Sequence, residues 1–110
     1  MADDDRIAEF KEVLDIMPDD PVVRIGLAAA YLEAGQADNA VVEYRETIRL
    51  KPDYSAAYRG LGRALERAGQ PAEAIAAYQQ GREVATRNGD LQTVKEIDVF
   101  LRRLEGGTRG

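Results

Sequence analysis

Residues 55–88 read SAAYRGLGRALERAGQPAEAIAAYQQGREVATRN, and the segment before them, 21–54, reads PVVRIGLAAAYLEAGQADNAVVEYRETIRLKPDY. Superposed without a gap, the two segments are identical at eight positions. The matched pairs are Gly26 and Gly60, Leu27 and Leu61, Ala30 and Ala64, Ala34 and Ala68, Gly35 and Gly69, Gln36 and Gln70, Ala40 and Ala74, and Tyr44 and Tyr78. The apolar positions recur three and four residues apart, as they do along one buried side of a helix. A spacing of 34 residues is typical of a helix–turn–helix unit that stacks on copies of itself, so the sequence predicts an all-α solenoid.

The same spacing continues toward the N-terminus, where residues 7–18 follow the pattern of residues 41–52, with Phe10 at the position of Tyr44. We therefore expect the chain to begin with the second helix of a repeat and to form a single domain over 1–110. The predicted elements are an N-terminal half-repeat helix over 3–17, helices over 21–34 and 37–50 in repeat one (21–54), helices over 55–68 and 71–88 in repeat two (55–88), a capping helix over 90–105 and a flexible tail over 106–110.

Aspartate, proline and glycine mark the boundaries of these helices. Asp20 offers a side-chain acceptor in front of the helix that begins with Pro21, where the missing N–H of proline costs nothing. Gly35 and Gly69 lie where the first helix of each repeat must turn back. Glycine adopts the left-handed conformation that ends a helix without a Cβ penalty, so these two residues predict the turns of two helical hairpins.

The composition excludes several classes of function. A formal net charge of −5 disfavours nucleic acid and an anionic membrane surface as partners. The chain contains no cysteine and no histidine, and so lacks disulfides, thiol nucleophiles, imidazole bases and the usual zinc ligands. No apolar run approaches the ~20 residues of a membrane-spanning helix. The first residues, MADDD, are acidic where a secretory signal would be basic and then apolar, so we expect a cytoplasmic location.

The motifs within the repeats do not form a catalytic site. Gly60-Leu61-Gly62 is a GxG sequence, but it lies inside a predicted helix with no strand before it, so close packing explains it better than phosphate binding. Glu43 and Glu46 share one side of a helix, but Arg45 and Arg49 flank them, which is typical of a surface charge lattice. We predict no catalytic residue, no cofactor and no metal ion, and thus a protein that is not an enzyme.

The repeats resemble the tetratricopeptide repeat (TPR), in which large and small side chains alternate so that two antiparallel helices interlock. Repeat two matches the TPR pattern at Tyr58, Leu61, Gly62, Leu65, Ala74, Tyr78 and Gly81, and repeat one matches it at Leu27, Ala28, Tyr31, Ala40, Tyr44 and Pro52. Arg24 departs from the usual large aromatic residue, Thr47 from the usual alanine and Thr86 from the usual proline. The resemblance implies a right-handed superhelix, and the missing proline at 86 predicts a last repeat helix that continues toward Asn88. The whole chain is similar to small stand-alone bacterial TPR proteins of unassigned activity.

The resemblance also implies a function, because TPR proteins bind extended peptides or partner helices in a concave groove lined by the first helix of each pair. The corresponding positions are Val22, Ile25, Ala29, Leu32 and Glu33 in repeat one and Ala56, Arg59, Arg63, Glu66 and Arg67 in repeat two. One end of this groove would be apolar and the other basic. We therefore expect a protein-interaction module, an adaptor or scaffold whose partner is a protein or a peptide.

The apolar end of the groove allows two interpretations. The helix over 22–32 is apolar on nearly all sides, so Val22, Ile25 and Leu32 either form the binding surface or are buried inside a tightly curled superhelix. The alternative function is self-assembly into a homodimer, in which the same apolar face, or the open side of the helix that carries Phe10, pairs two copies symmetrically.

The basic end of the groove also allows two interpretations. Arg59, Arg63 and Arg67 follow one another at one-turn intervals and form a stripe along the helix. This stripe either receives a carboxylate or an acidic peptide, or is a solvated face paired with Glu66.

Overall fold

The computed structural model describes residues 2–109, which form six helices and no β-strand. The helices are α1 (Ala2–Ile16), α2 (Pro21–Glu33), α3 (Ala37–Leu50), α4 (Ser55–Arg67), α5 (Pro71–Asn88) and α6 (Leu91–Arg109). Each helix packs on its neighbours in the chain, and α4 also contacts α2 and α6. The helices stack in series into a slab that measures 44 × 30 × 19 Å. The prediction of an all-α fold is confirmed.

The boundaries of α2 and α4 follow from the residues that cap them. The Asp20 side chain accepts hydrogen bonds from the backbone N–H groups of Val22 at 2.8 Å and Val23 at 3.2 Å. These bonds satisfy donors that have no partner inside the helix. Gly35 and Gly69 have φ values of 79° and 78°, which place both in the left-handed region expected of a glycine that ends a helix.

Helix α5 continues to Asn88 and is therefore 18 residues long, whereas α3 has 14. The prediction of a longer helix in the absence of a proline at 86 is confirmed, and Gly89 ends it with a φ of 72°. The predicted end of the capping helix at 105 is wrong, because α6 continues to Arg109. Within the described residues beyond 105 no glycine adopts a positive φ, so nothing terminates the helix there. The predicted tail is thus helical up to Arg109, and residue 110 lies outside the described residues.

The helices interlock where aromatic rings of α3 and α5 lie against glycines of α4. A Cβ atom built on Gly60 would lie 2.2 Å from Cε1 of Tyr44, and one built on Gly62 would lie 2.3 Å from Cε1 of Tyr78. Only glycine leaves space for both rings, so α4 is clamped between a ring from each neighbouring helix. The Gly60-Leu61-Gly62 sequence is therefore explained by packing.

In repeat one, an ion pair lies at a position where repeat two has an aromatic ring. Arg24 occupies the position that Tyr58 occupies in repeat two, and its Nη1 lies 2.7 Å from Oε1 of Glu43. Both side chains are only 18% exposed. Arg24 also donates to the Pro18 carbonyl at 2.9 Å, and the buried Thr47 hydroxyl donates to the Glu43 carbonyl at 2.8 Å. Polar groups thus fill the space that an aromatic ring fills in repeat two, and hydrogen bonds compensate part of their desolvation.

Candidate functional site

An open groove of about 340 Å³ lies between α2 and α4. Its lining residues are Ile25, Gly26, Ala29, Leu32, Tyr44, Ala56, Arg59, Gly60 and Arg63. Six of the ten residues predicted to line the concave surface are among them: Ile25, Ala29, Leu32, Ala56, Arg59 and Arg63. Half of the lining residues that α2 and α4 contribute are alanine or glycine, whose short side chains leave space between the helices.

The apolar side of the groove is partly buried and partly open. Leu32 is only 6% exposed and belongs to the core, whereas Ile25 and Ala29 are half-buried and reach the groove. Val22 is 65% exposed at the start of α2 and lies outside the groove lining. Helix α2 thus buries Leu32 internally, as the second interpretation expects, and leaves Ile25 accessible to solvent, so that Ile25 stays a candidate for the binding surface.

The predicted arginine stripe of α4 is divided among three different environments. Arg59 Nη1 lies 3.2 Å from Oε1 of Glu96 on α6, and Arg67 donates to the Leu32 carbonyl at 3.3 Å. Arg63 is exposed, has no hydrogen-bond or ion-pair partner within the described residues, and lies 5.9 Å from the centroid of the Phe100 ring. Arg59 is thus the one of these three arginines that a carboxylate neutralises, and the exposed Arg63 has a guanidinium free of ion pairs and hydrogen bonds within the described residues.

Two acidic residues of the predicted groove have partners elsewhere. Glu33 forms an ion pair with Arg6 of α1 and does not line the groove. Glu66 accepts hydrogen bonds at 2.5 Å from the Tyr78 hydroxyl and from Arg103 of α6. The expected pairing of Glu66 with the arginines of α4 is therefore wrong, because α6 brings a closer cation to this carboxylate.

A second, smaller cavity of about 170 Å³ lies between α4 and α6. Its lining residues are Arg63, Glu66, Arg67, Phe100 and Arg103. Phe100 is not among the residues predicted for the site, although its position three residues after Ile97 on an amphipathic helix indicates that the ring faces the other helices. Phe100 stacks on Tyr78 with the ring centroids 5.2 Å apart, so it connects the cavity to the core.

Burial controls the ionisation of the two tyrosines beneath these cavities. Desolvation raises the pKa of Tyr44, and desolvation together with the hydrogen bond to Glu66 raises the pKa of Tyr78. Both phenols are therefore neutral near pH 7. The Tyr78 hydroxyl acts as a fixed hydrogen-bond donor that orients the Glu66 carboxylate.

Two other kinds of site are lacking in the part of the chain that the structure describes. No group of three or more acidic side chains among residues 4–106, whose side chains the structure describes, is placed to hold a metal ion. None of the helices α1 to α6 combines the length and the apolar character needed to cross a membrane.

The comparisons with known proteins agree with this architecture. The tetratricopeptide repeat family model matches residues 7–42 and 31–96. A solved protein from Bordetella parapertussis is 35% identical with a TM-score of 0.82, and the match covers 92% of this chain and 88% of that one. A tetratricopeptide repeat domain protein from Salinibacter ruber is 34% identical with a TM-score of 0.74, covering 81% of this chain and 90% of that one. The first TPR of Spaghetti, solved bound to the HSP90 peptide SRMEEVD, shares the fold at 22% identity, with a TM-score of 0.86 over 99% of this chain and 82% of that one. None of the curated proteins matches this chain.

Proposed function

Because the chain belongs to the tetratricopeptide-repeat family, we propose that it is a protein-interaction module that binds an extended peptide or a partner helix in the groove between α2 and α4. The observation that carries this proposal is the groove itself, which combines half-buried apolar residues with an exposed arginine that forms no hydrogen bond or ion pair within the described residues. The peptide complex of the first TPR of Spaghetti supports peptide binding on a fold of this kind.

The chemistry of the groove defines the ligand that fits it. The half-buried side chains of Ile25, Ala29 and Ala56 match one or two alkyl side chains of a ligand. Covering the part of Ile25 that is still exposed contributes at most about 1 kcal/mol before the costs of association are counted. Arg63 then favours an acidic residue next to the apolar anchor, because it is the exposed cation of this lining without an ion pair in the described chain. We infer a ligand with an apolar anchor and a neighbouring carboxylate.

The proposal assigns no catalytic step to the groove. Its side chains are alkyl groups, one tyrosine and two arginines. Arginine remains protonated throughout the physiological range, and the raised pKa of Tyr44 keeps its phenol neutral. These groups bind and orient a ligand but are poorly suited to accept a proton at neutral pH.

A peptide library displayed on phage and selected on the immobilised chain tests this function. We expect selected peptides to bind in fluorescence polarisation, and Ile25→Asp to weaken that binding at least tenfold, because it places a charge where an alkyl anchor must be buried. Val42→Asp is the matched control, since Val42 is exposed on α3 outside the groove. Selection of no peptide, or equal binding by the Ile25→Asp variant in its folded state, would contradict the proposal.

The alternative function, a symmetric homodimer through the same apolar face, covers the same residues. Sedimentation equilibrium separates the two functions, because a groove-mediated dimer dissociates in the Ile25→Asp variant without any added peptide. If the chain binds peptide and Ile25→Asp does not affect its self-association, the interaction module is favoured.

A further inference from the structure

Two exposed helix faces lie at opposite ends of the stack, one on α1 and one on α6. The α1 face consists of Asp5, Glu9, Glu12, Val13 and Ile16, and the α6 face consists of Leu91, Lys95, Val99 and Arg102. Ile16 is 83% exposed, Leu91 65% and Val99 56%. Within the described residues no helix packs on either face, because α1 contacts α2, and α6 contacts α5 and α4.

Helical geometry keeps each face on the side opposite the core. Ile7 and Leu14 are buried on α1, and Thr93 and Ile97 are buried on α6. Positions 5, 9, 12 and 16 of α1 and positions 91, 95, 99 and 102 of α6 recur at intervals of three and four, and Val13 lies beside Glu12, so each set forms one continuous stripe along its helix. Both stripes mix apolar residues with charges, a composition suited to helix–helix contact.

The charges of the two faces have opposite signs. Asp5, Glu9 and Glu12 make the α1 face acidic, whereas Lys95 and Arg102 make the α6 face basic. None of these five residues forms an ion pair within the described chain. Most other arginines differ in this respect, since Arg59, Arg82 and Arg103, for example, each pair with a carboxylate.

The spacing of the two faces matches when the helices run antiparallel. Leu91, Lys95 and Arg102 are separated by four and then seven residues. Ile16, Glu12 and Asp5 are separated by the same four and seven residues in the reverse direction. One alignment therefore sets Leu91 opposite Ile16, Lys95 opposite Glu12 and Arg102 opposite Asp5.

This alignment also continues the order of helices within the chain. First and second helices of the repeats alternate, so that α2 packs on α3 and α4 packs on α5. Helix α6 follows α5 as a first helix does, and α1 precedes α2 as a second helix does. A pair formed by α6 and α1 therefore consists of a first helix and a second helix, as the pairs inside the stack do.

We propose that α6 of one copy of this chain binds α1 of a second copy in the antiparallel alignment, so that the chain self-associates head to tail. The contact is heterologous, because it joins two different surfaces, and it leads to open chains or to a closed ring. It is independent of the groove, since none of its residues belongs to the groove lining.

Charge exchange across the contact provides the test, with sedimentation velocity over a concentration series as the measurement. We expect Glu12→Lys and Lys95→Glu each to raise the dissociation constant by about tenfold or more, because each places like charges opposite one another. The two substitutions combined in one chain restore opposite charges and with them the association. An equimolar mixture of the two single variants also associates, since each variant then finds a complementary end on the other.

Matched controls are Glu83→Lys and Arg87→Glu, which make the same changes in charge at exposed sites of α5. We expect both to self-associate within twofold of the unmodified chain, and circular dichroism checks that every variant is folded. A chain that stays monomeric up to about 1 mM would overturn the proposal. So would a symmetric dimer that Lys95→Glu leaves unchanged, or a double variant that does not recover association. The Ile25→Asp variant separates this proposal from the proposed function. We expect it to lose peptide binding and to retain head-to-tail association.

Discussion

The substitution Gly62→Ala tests the interlocking of small and large side chains that holds α4 against α5. A Cβ atom at position 62 would lie 2.3 Å from Cε1 and 2.5 Å from Cδ1 of Tyr78. The Tyr78 ring has little room to retreat, because it is fully buried, its hydroxyl donates to Glu66 and its face stacks on Phe100. The added methyl group must therefore displace either the ring or the helix.

The expected loss of stability follows from three contributions. Overpacking of this kind costs about 1–3 kcal/mol. A shift of the ring that breaks the hydrogen bond to Glu66 costs about 1.5–3 kcal/mol more, because the acceptor is charged. Alanine favours the helix by about 1 kcal/mol relative to glycine. The balance is a net loss of about 1.5–5 kcal/mol, or a melting temperature lower by roughly 6–20 °C for a domain of this size.

Thermal and urea unfolding followed by circular dichroism measure this loss, with Gly106→Ala as the control. A Cβ atom at 106 meets nothing within 4 Å, so that variant should gain up to about 1 kcal/mol through helix propensity alone. Gly26→Ala should lie between the two, because the Phe10 ring that it meets at 2.4 Å is only half-buried and can swing outward. Equal or greater stability of Gly62→Ala relative to the unmodified chain would refute the interlocking described for α4 and α5.

Three further substitutions test other contacts. Because burial and the hydrogen bond to Glu66 raise the pKa of Tyr78 above its ordinary value of 10.0, its protonated form stabilises the fold fully below pH 10 and this contribution is lost as the pH rises further. Tyr78→Phe should therefore flatten the decline of melting temperature above pH 10. Glu43→Gln removes the partner of the half-buried Arg24 and should cost about 1–3 kcal/mol in urea unfolding. Asp20→Ala removes the cap of α2 and should cost about 1 kcal/mol, whereas Asp20→Ser should retain most of the stability.

Much of the architecture could be predicted because it depends on interactions that are local or that recur at fixed spacing. The turns at Gly35 and Gly69 need a left-handed residue, and both glycines adopt that conformation. The cap at Asp20 involves only the two N–H groups that follow it closely in sequence. The opposition of a glycine and an aromatic ring recurs at the repeat spacing, as Gly26 against Phe10 and Gly60 against Tyr44, so one sequence pattern determined both the helices and their order.

The charged part of the site could not be predicted, because it depends on where α6 lies. The four additional residues of α5 relative to α3 carry the chain further before it turns at Gly89. As a result, Glu96, Phe100 and Arg103 of α6 face α4. The repeat spacing contained no information on these contacts, since α6 has no counterpart in the first repeat at the same spacing. The side-chain directions of long arginines depend on such neighbours more than on their own helix.

Helix α6 consequently determines the charge of the groove as well as covering one end of the core. Its Glu96 forms an ion pair with Arg59, and its Arg103 forms one with Glu66. Without Arg103, the Glu66 carboxylate would be free to pair with Arg63. If α6 were absent, the α4 face would present three arginines and a carboxylate that could pair among themselves. With α6 in place, one exposed arginine lies beside an apolar floor, and this juxtaposition is the basis for the proposed preference for a carboxylate next to an alkyl group. The selectivity of the proposed binding surface therefore resides in a helix that contributes no residue to the groove lining itself.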